Sequence, residues 1–162
     1  MKYIRSILFN LFYFIWTFCL SFIGCLTAPL PRKAIMGLAK FWSVTTMKAM
    51  EVLIGLKYRV EGIENLPENS AFIIASKHQS AFETIAYHAI FPHPVFVLKK
   101  ELLWLPLFGW NLLLTGCIPI DRSSGMKAMR SILEGTQKRL KEGYPVVIFP
   151  EGTRTAPGTT VK

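Results

Sequence analysis

The chain has 162 residues, which leaves room for one domain and a small additional segment. Hydrophobic residues make up 51% of it, and a mean hydropathy of +0.35 is high for a soluble domain of this length. The formal net charge is +9. The basic residues are scattered, however, and no helix-turn-helix, zinc-finger or RNA-binding motif accompanies them, which argues against a nucleic-acid partner. Anionic lipid or an acidic carrier of substrate would suit this charge, and a solvated positive face without a specific partner is the alternative.

The three cysteines predict neither a disulfide framework nor a zinc site. Cys19 and Cys25 lie in an apolar segment and Cys117 lies in a predicted strand, without the spacing that metal ligands require. We therefore expect no bound metal, and a reduced catalytic portion that faces the cytoplasm.

The first segment predicts attachment to a membrane. No charged side chain occurs from Ser6 to Pro31, and a helix needs about 20 apolar residues to cross a bilayer core. A cleaved signal peptide is the weaker interpretation, because its apolar region would be only ~7–15 residues long. A spanning helix and a half-inserted two-helix hairpin both fit, since Pro29 and Pro31 break the first helix and an amphipathic helical stretch follows over residues 32–56. The flanking basic residues do not decide the orientation.

From Lys57 onward the pattern changes to strands that alternate with helices. Predicted strands cover residues 57–61, 71–76, 95–98, 117–120 and 146–149, and predicted helices cover 80–90, 102–114 and 124–142. This alternation predicts an α/β fold with a mostly parallel sheet and flanking helices.

We therefore expect two parts, a membrane anchor over residues 1–56 and an α/β domain over residues 57–162. The sequence stops after a polar tail from Thr155 to Lys162, where a parallel sheet normally continues with a helix and another strand. We expect this domain to be truncated at its C-terminal end.

Polar residues follow four successive predicted strands. The strand over residues 71–76 leads into the segment from His78 to Glu83, and the strand over residues 95–98 leads into Lys99 and Lys100. Arg122 follows the strand over residues 117–120, and the segment from Glu151 to Arg154 follows the strand over residues 146–149. Because ligands gather at the carboxyl ends of strands in α/β folds, we predict that these residues share one site.

Two interpretations of His78 and Glu83 stay open at this point. A histidine has the right pKa to act as a base near neutrality, and a carboxylate at its other nitrogen would orient the ring. This requires His78 to lie in the loop before the helix and Glu83 to lie in its first turn. In the alternative, Glu83 simply caps the helix, since Ser80-x-x-Glu83 has the spacing of a capping box. Ser80 then serves as the cap, and the nucleophile is the hydroxyl of the substrate.

The second motif, from Glu151 to Arg154, predicts an anion site. Gly152 permits a tight turn and a close approach of the backbone after the strand. Arg154 would lie at the mouth of the site beside the first motif, where its guanidinium could hold a phosphate through several hydrogen bonds. A surface arginine without a partner is the alternative.

The ordered motifs resemble the glycerolipid acyltransferase family, and most of all its bacterial 1-acyl-sn-glycerol-3-phosphate acyltransferases. The segment from His78 to Glu83 is similar to the first family motif, a histidine followed four residues later by an acid. Gly116 to Arg122 and Phe149 to Arg154 are similar to the second and third, and Lys99 to Leu102 is similar to the stretch between them.

The resemblance implies a glycerol-3-phosphate acyltransferase-like fold and a role for each site residue. His78 would deprotonate the glycerol hydroxyl of lysophosphatidic acid, and Glu83 would orient His78. The phosphate of the acceptor would be held by Lys99 or Lys100 together with Arg122 and Arg154. Glu151 and Gly152 would shape the acceptor site, and Thr153 would also contribute to substrate binding. The resemblance further implies no bound cofactor, a thioester donor carried by coenzyme A or by acyl carrier protein, and a location at the bacterial inner membrane.

Two departures from the family pattern stand out. The acid of the first motif is more often aspartate, and glutamate adds a methylene. The fourth family motif, a proline-containing strand, does not occur in this sequence. A relative that uses another lysophospholipid or glycerol 3-phosphate is the alternative function, and a non-catalytic membrane-binding module is the alternative from another class.

Overall fold

A computed structural model describes residues 2–68 and 70–159 of the chain. Its two long N-terminal helices are α1 (Lys2–Leu26) and α2 (Arg32–Ala49), and a π-helical turn follows at Met50–Ile54. Three further helices are α3 (Phe82–Ile90), α4 (Phe108–Leu114) and α5 (Met126–Lys141), and short 3-10 turns occupy Ile63–Asn65, Lys100–Trp104 and Arg122–Ser124. The strands are β1 (Ile73–Ala75), β2 (Val95–Lys99), β3 (Ile118–Ile120) and β4 (Val146–Ile148).

The N-terminal helices α1 and α2 form an antiparallel hairpin. Two tryptophans hold it together, because the indole N–H of Trp16 donates to Thr45 Oγ1 at 2.7 Å and that of Trp42 donates to Thr17 Oγ1 at 3.0 Å. Each indole thereby satisfies its one donor inside an apolar interface. The structure thus contains the two-helix hairpin that the sequence allows, and its insertion in the membrane, spanning or half-inserted, stays a prediction.

Helix α1 is long and apolar enough to cross a membrane, by length and composition. Large side chains such as Tyr3, Ile7, Phe14, Phe18 and Phe22 recur along its outer side with at least half of their surface exposed. An exposed apolar surface of this extent is typical of contact with lipid or with another protein.

The four strands form one parallel sheet in the order β1-β4-β2-β3. The predicted α/β fold with a mostly parallel sheet is confirmed. The last strand in the sequence inserts between the first two, so that Val146 lies opposite both Ile73 of β1 and Val95 of β2. The central position of β4 explains the complete burial of Val146 and Val147.

Helices cover the two faces of the sheet. On one face, α5 packs Ile132 and Leu140 against Val95, Val97 and their neighbours in β3. Side chains alternate along a strand, so Phe96 and Leu98 of β2 point to the other face, where they line a cavity beneath the helical hairpin, α3 and α4. The sheet therefore separates α5 from the hairpin along most of its length. At one end of the sheet the start of α2 comes close to the end of α5. Arg32 forms an ion pair at 2.8 Å with Glu142, the residue after α5, and Met36 joins the buried cluster with Val95 and Val97 on the α5 face.

Three of the predicted elements require correction. Residues 57–61 are not a strand, and they pair with no other strand in the described parts of the chain. The strand predicted as buried over residues 71–76 is shorter, and Ile73 is 51% exposed because β1 lies at the edge of the described sheet. The helix predicted to start at Ser80 starts at Phe82.

The division into an anchor over residues 1–56 and a domain over residues 57–162 stays a prediction. The hairpin is not separate from the rest, since Met47 and Met50 share a buried cluster with Ile85 and Ala86 of α3. The last three residues of the predicted domain, 160–162, lie outside the described residues.

The second residue of helix α4, Gly109, occupies a position where only glycine fits. A Cβ on Gly109 would lie 2.3 Å from the carbonyl oxygen of Leu103, a backbone atom that cannot move aside alone. We expect Gly109→Ala to lower the free energy of unfolding by about 2 kcal/mol or more. As a control, a Cβ on Gly37 in α2 would have no atom within 4 Å, and Gly37→Ala should be neutral or stabilise by up to about 1 kcal/mol. Chemical unfolding in detergent measures the free energy of unfolding of both variants and of the wild-type chain. A Gly109→Ala variant as stable as the Gly37→Ala control would contradict the clash.

Candidate active site

The predicted site residues come from the carboxyl ends of all four strands. Ala75 of β1 lies opposite Ile148 of β4, and the segments that carry His78 and Glu151 start from this pair. On the other side of β4, Lys99 ends β2 and lies opposite Ile120 of β3, which leads into Arg122. The strand order thus places the two long motifs on adjacent strands, with the basic residues beyond them.

A backbone hydrogen bond joins the two motifs directly. The N–H of Thr155 donates to the carbonyl oxygen of His78 at 2.8 Å, and Thr155 itself is buried. Before this contact, Gly152 makes the turn after β4 with a φ of +65°, a left-handed conformation that favours glycine. The turn and the hydrogen bond together bring the chain from β4 back across the loop that carries His78.

The imidazole of His78 is held between the sheet and α3. Its ring stacks on Phe149 with 4.2 Å between ring centroids, and its side chain is only 15% exposed. Its Nδ1 is buried and has no hydrogen-bond partner among the described residues. The ring therefore presents Nε2 as the nitrogen available to a ligand.

Glu83 lies close to His78 but does not form the predicted hydrogen bond with it. Its Oε2 is 3.9 Å from His78 Nδ1, beyond hydrogen-bonding distance. The carboxylate instead accepts from the backbone N–H of Gln79 at 2.8 Å, and from both the N–H and the hydroxyl of Ser80 at 3.0 to 3.1 Å. The capping interpretation of Glu83 therefore describes its contacts here, while the carboxylate stays near enough to act on the imidazole electrostatically.

The surroundings shift the pKa values of both groups. Burial is the largest influence on His78 and lowers its pKa; the Glu83 carboxylate acts in the opposite direction, and the cations of Arg154 and Arg122 add to the lowering. Burial acts against ionisation of Glu83, but its hydrogen bonds from the backbone and Ser80 outweigh this and hold its pKa below the ordinary value. At neutral pH the pair is therefore a neutral imidazole beside a carboxylate.

Two arginines and one lysine lie at the rim of the cavity beneath the hairpin. Arg122, Arg154 and Lys99 all line it, together with His78. Lys99 is 3.3 Å from the carboxylate of Glu101, but neither arginine forms an ion pair with any described residue. The arginines are thus positive charges without a protein counter-ion beside the histidine.

The remaining predicted residues lie near this rim without lining the cavity. Lys100 forms an ion pair with Asp121, and this contact, with the Ser123 hydroxyl, lowers the pKa of that carboxyl. The structure therefore favours Lys99 over Lys100 as the lysine of the site. Glu151, Gly152 and Thr153 form the turn after β4, and Glu151 Oε2 is buried without a hydrogen-bond partner among the described residues.

The cavity itself has a volume of about 330 Å³ and a mostly apolar lining. It extends from His78 along α3, and its walls include residues from the hairpin and from β2, such as Leu38, Ala39, Trp42 and Phe96. His88, on α3 within the wall, stays neutral because burial lowers its pKa to about 4. The cavity thus offers a long apolar chain a place next to the histidine.

Sequence reasoning did not find several of these contributors. Phe149 belongs to the third motif, but nothing in its spacing indicates that it stacks on His78. The cavity residues on α1 and α2 lie in a segment whose apolar character is explained by a membrane, so their second role leaves no separate signal in the sequence.

A model of the acyltransferase family matches residues 57–162, so the chain belongs to this family. Among its relatives, the 1-acyl-sn-glycerol-3-phosphate acyltransferase of Pseudomonas aeruginosa is 38% identical over 157 residues, or 96% of this chain. The alpha form of the 1-acyl-sn-glycerol-3-phosphate acyltransferase from Ovis aries is 32% identical over 111 residues, or 68% of this chain. The chain spans 61% of the first protein and 39% of the second.

The fold is also similar to a solved structure. The crystal structure of the 1-acyl-sn-glycerophosphate acyltransferase PlsC from Thermotoga maritima matches with a TM-score of 0.77 over 99% of this chain and 66% of that protein. The sequence identity is 23%, and the comparison supports the fold.

Charge substitutions should move the pKa of His78 in opposite directions. Arg154→Ala removes a cation that lowers this pKa, so we expect a rise; Glu83→Gln removes a carboxylate that raises it, so we expect a fall. NMR titration of the His78 ring protons measures both shifts, with the exposed Arg59→Ala variant as a control that should leave the pKa unchanged. A shift of the same sign in the two site variants would contradict this electrostatic arrangement.

Proposed function

We propose that this chain forms the acyl-transferring part of an enzyme that moves a fatty acyl group from a thioester to the hydroxyl of 1-acylglycerol 3-phosphate, giving phosphatidic acid. The observation that carries the proposal is a neutral histidine beside a carboxylate, at the mouth of an apolar cavity and next to two arginines without counter-ions. The names of the relatives from Pseudomonas aeruginosa and Ovis aries support the same acceptor.

His78 acts as the general base in this proposal. Its Nε2 accepts the proton of the acceptor hydroxyl, the hydroxyl oxygen attacks the thioester carbonyl, and the carbon–sulfur bond breaks as the new ester forms. The imidazolium returns its proton to the leaving thiolate. Glu83 stabilises the imidazolium through its negative charge. It also orients the ring once Oε2 and Nδ1 come within hydrogen-bonding distance, which requires a shift of about 1 Å. Catalytic contacts often tighten in this way when substrate binds.

The nucleophile is the hydroxyl of the acceptor rather than a side chain. The Ser80 hydroxyl donates to Glu83 and accepts from the N–H of Phe82 at 3.0 Å, so it serves the turn before α3. Burial raises the pKa of the Cys117 thiol to about 11, and Cys117 lies at the amino end of β3, away from His78. Neither side chain is suited to form an acyl-enzyme intermediate.

The rim residues bind the phosphate of the acceptor. Arg122 and Arg154 offer planar sets of N–H donors that match phosphate oxygens, and Lys99 adds a third positive charge. The turn formed by Glu151, Gly152 and Thr153 shapes the acceptor site next to Arg154. No cofactor is needed for these steps, and the donor is a thioester of coenzyme A or of acyl carrier protein.

In this proposal the acceptor and the product are membrane lipids, and the hairpin would hold the site at a bilayer. The exposed apolar side of α1 would contact the acyl region, with the surrounding basic residues attracted to anionic lipid. Because the relative from Pseudomonas aeruginosa is a bacterial protein, we propose the bacterial inner membrane as the location, with the active site facing the cytoplasm where thioester donors occur.

Removal of the proposed base should abolish acyl transfer. We expect His78→Ala to lower kcat for lysophosphatidate by about 10²- to 10⁴-fold, the usual contribution of a general base. The control is His93→Asn, a histidine in the loop before β2, where asparagine tolerates the positive φ of 52°. Transfer of labelled acyl groups to lysophosphatidate, in competition with glycerol 3-phosphate and other lysophospholipids, measures the rate and the acceptor together. Full activity of His78→Ala would contradict the mechanism, and preference for another acceptor would contradict the substrate.

Filling the apolar cavity should select for shorter donors. Ala39 lines the cavity from α2, and a phenyl group there would occupy space that a long acyl chain needs. We expect Ala39→Phe to lower kcat/KM for long-chain donors by about tenfold or more relative to short-chain donors, since a few displaced methylenes suffice at ~0.8 kcal/mol each. Gly37→Phe places the same ring on the outer side of α2 and should leave the chain-length profile unchanged. An equal loss for all donors would show that the cavity does not hold the acyl chain.

A further inference from the structure

Helix α5 carries an exposed surface that the proposed reaction does not use. Its inner side packs on the sheet through Ile132 and Leu140. On its outer side, Met126, Met129 and Leu133 are 90%, 59% and 55% exposed, and their spacing of three and four residues aligns them in one stripe. We call these three residues the apolar stripe.

Basic residues lie beside the apolar stripe. Helix α5 contains Lys127, Arg130, Lys138, Arg139 and Lys141, with Glu134 as its acidic residue. Four of these side chains, on Lys127, Arg130, Lys138 and Arg139, line an open groove of about 470 Å³ between α5 and β3, together with Glu134. Within the described residues, Lys127 and Lys138 form no ion pair, whereas Arg130 binds Glu134 at 2.7 Å and Arg139 binds Glu142 at 2.8 Å. The groove therefore carries an excess of positive charge from Lys127 and Lys138, which favours an acidic partner.

The position of α5 favours a soluble partner over a membrane. The exposed apolar side of α1 belongs to the hairpin, which lies on the face of the sheet lined by Phe96 and Leu98. Helix α5 covers the opposite face. A bilayer in contact with α1 would thus lie on the far side of the sheet from the apolar stripe.

The stripe also leads to the catalytic mouth. Arg122 lines the cavity at its rim, and only the short turn that ends at Ser124 and Gly125 separates it from Met126, the first residue of α5. A partner bound along α5 would lie next to the opening where the proposed reaction consumes its thioester.

We propose that the apolar stripe and the basic groove of α5 together dock an acyl carrier protein, that is, a small acidic protein that bears the acyl group as a thioester. The inference rests on the proposed function, because it assigns the donor of that reaction. Apolar residues of the carrier cover the stripe, its acidic side chains face Lys127 and Lys138, and the thioester reaches the cavity past Arg122.

Charge reversal in the groove tests the docking surface. In the full chain in detergent, we expect Lys127→Glu/Lys138→Glu to raise the KM for acyl carrier protein thioesters by about tenfold or more, because both the attraction and the electrostatic steering are reversed. The KM for the coenzyme A thioester of the same acyl chain should stay within about twofold, since that donor has no protein surface to dock. Met126→Ser/Met129→Ser should show the same selectivity without a change in charge.

A charge-matched control is Lys57→Glu/Arg59→Glu, in the exposed segment after the hairpin, which should leave both KM values unchanged. Binding of the unacylated carrier protein, measured by titration, should weaken in parallel with the rise in KM, and it reports docking even if no acyl transfer occurs. Binding to vesicles of phosphatidylethanolamine and phosphatidylglycerol in equal parts should be the same for the wild-type chain and the α5 variants.

Several outcomes would overturn the inference. One is an unchanged KM for the carrier-protein thioester in the α5 variants, and another is an equal rise in KM for both donors. A third is weaker vesicle binding of the α5 variants, which would assign the surface to the membrane. A wild-type chain that uses coenzyme A thioesters but neither binds nor uses the carrier would overturn the docking surface and leave the proposed function intact. Carrier binding that depends on α5 without any acyl transfer would instead overturn the proposed function.

Discussion

The insertion of β4 between β1 and β2 is the constraint on which the rest of this structure depends. A parallel strand in the centre of the sheet must bury its apolar side chains on both faces, and Val146 and Val147 are fully buried there. The same pairing fixes which strand ends are neighbours. It places the turn after β4 beside the loop after β1, where the hydrogen bond from Thr155 to His78 holds the two motifs in one site. His78 and Thr155 lie about half the chain apart in the sequence, and the position of β4 in the sheet brings them into contact.

Burial gives the histidine its chemical character. Phe149 covers one side of the ring, and the desolvation that follows lowers the pKa of His78, so that a base rather than a cation is present near neutrality. The cations at the rim act in the same direction, while Glu83 opposes them. A phosphate bound by Arg122 and Arg154 would neutralise part of that positive charge. In the proposed reaction the acceptor would therefore raise the basicity of His78 at the moment when a proton must be taken up.

The sheet also divides the molecule into two surfaces with different exposure. On one face, the hairpin and α3 enclose the apolar cavity and expose the large side chains of α1; on the other, α5 exposes apolar and basic side chains together. The site opens at the carboxyl ends of the strands, between these two surfaces. This arrangement allows a lipid acceptor and a water-soluble donor to approach from different sides, as the proposed function and the proposed docking surface require.

The sequence by itself determined the α/β class, the parallel sheet, the apolar N-terminal segment and the identity of the residues at the strand ends, because these follow from local hydrophobic periodicity and from residue type. Local patterns also misled. Within the described parts of the chain, residues 57–61 alternate like a strand but pair with no other strand, and the apolar run before His78 forms an edge strand with Ile73 half exposed. Only the tertiary structure decided that Glu83 caps its loop at 3.9 Å from His78, that Lys100 pairs with Asp121, and that the hairpin closes a cavity over β2. The last two depend on contacts between segments distant in the chain, for which no single stretch of sequence carries a signal. The contacts of Glu83 with Gln79 and Ser80 are local, and there the structure chose between two interpretations that the spacing left open.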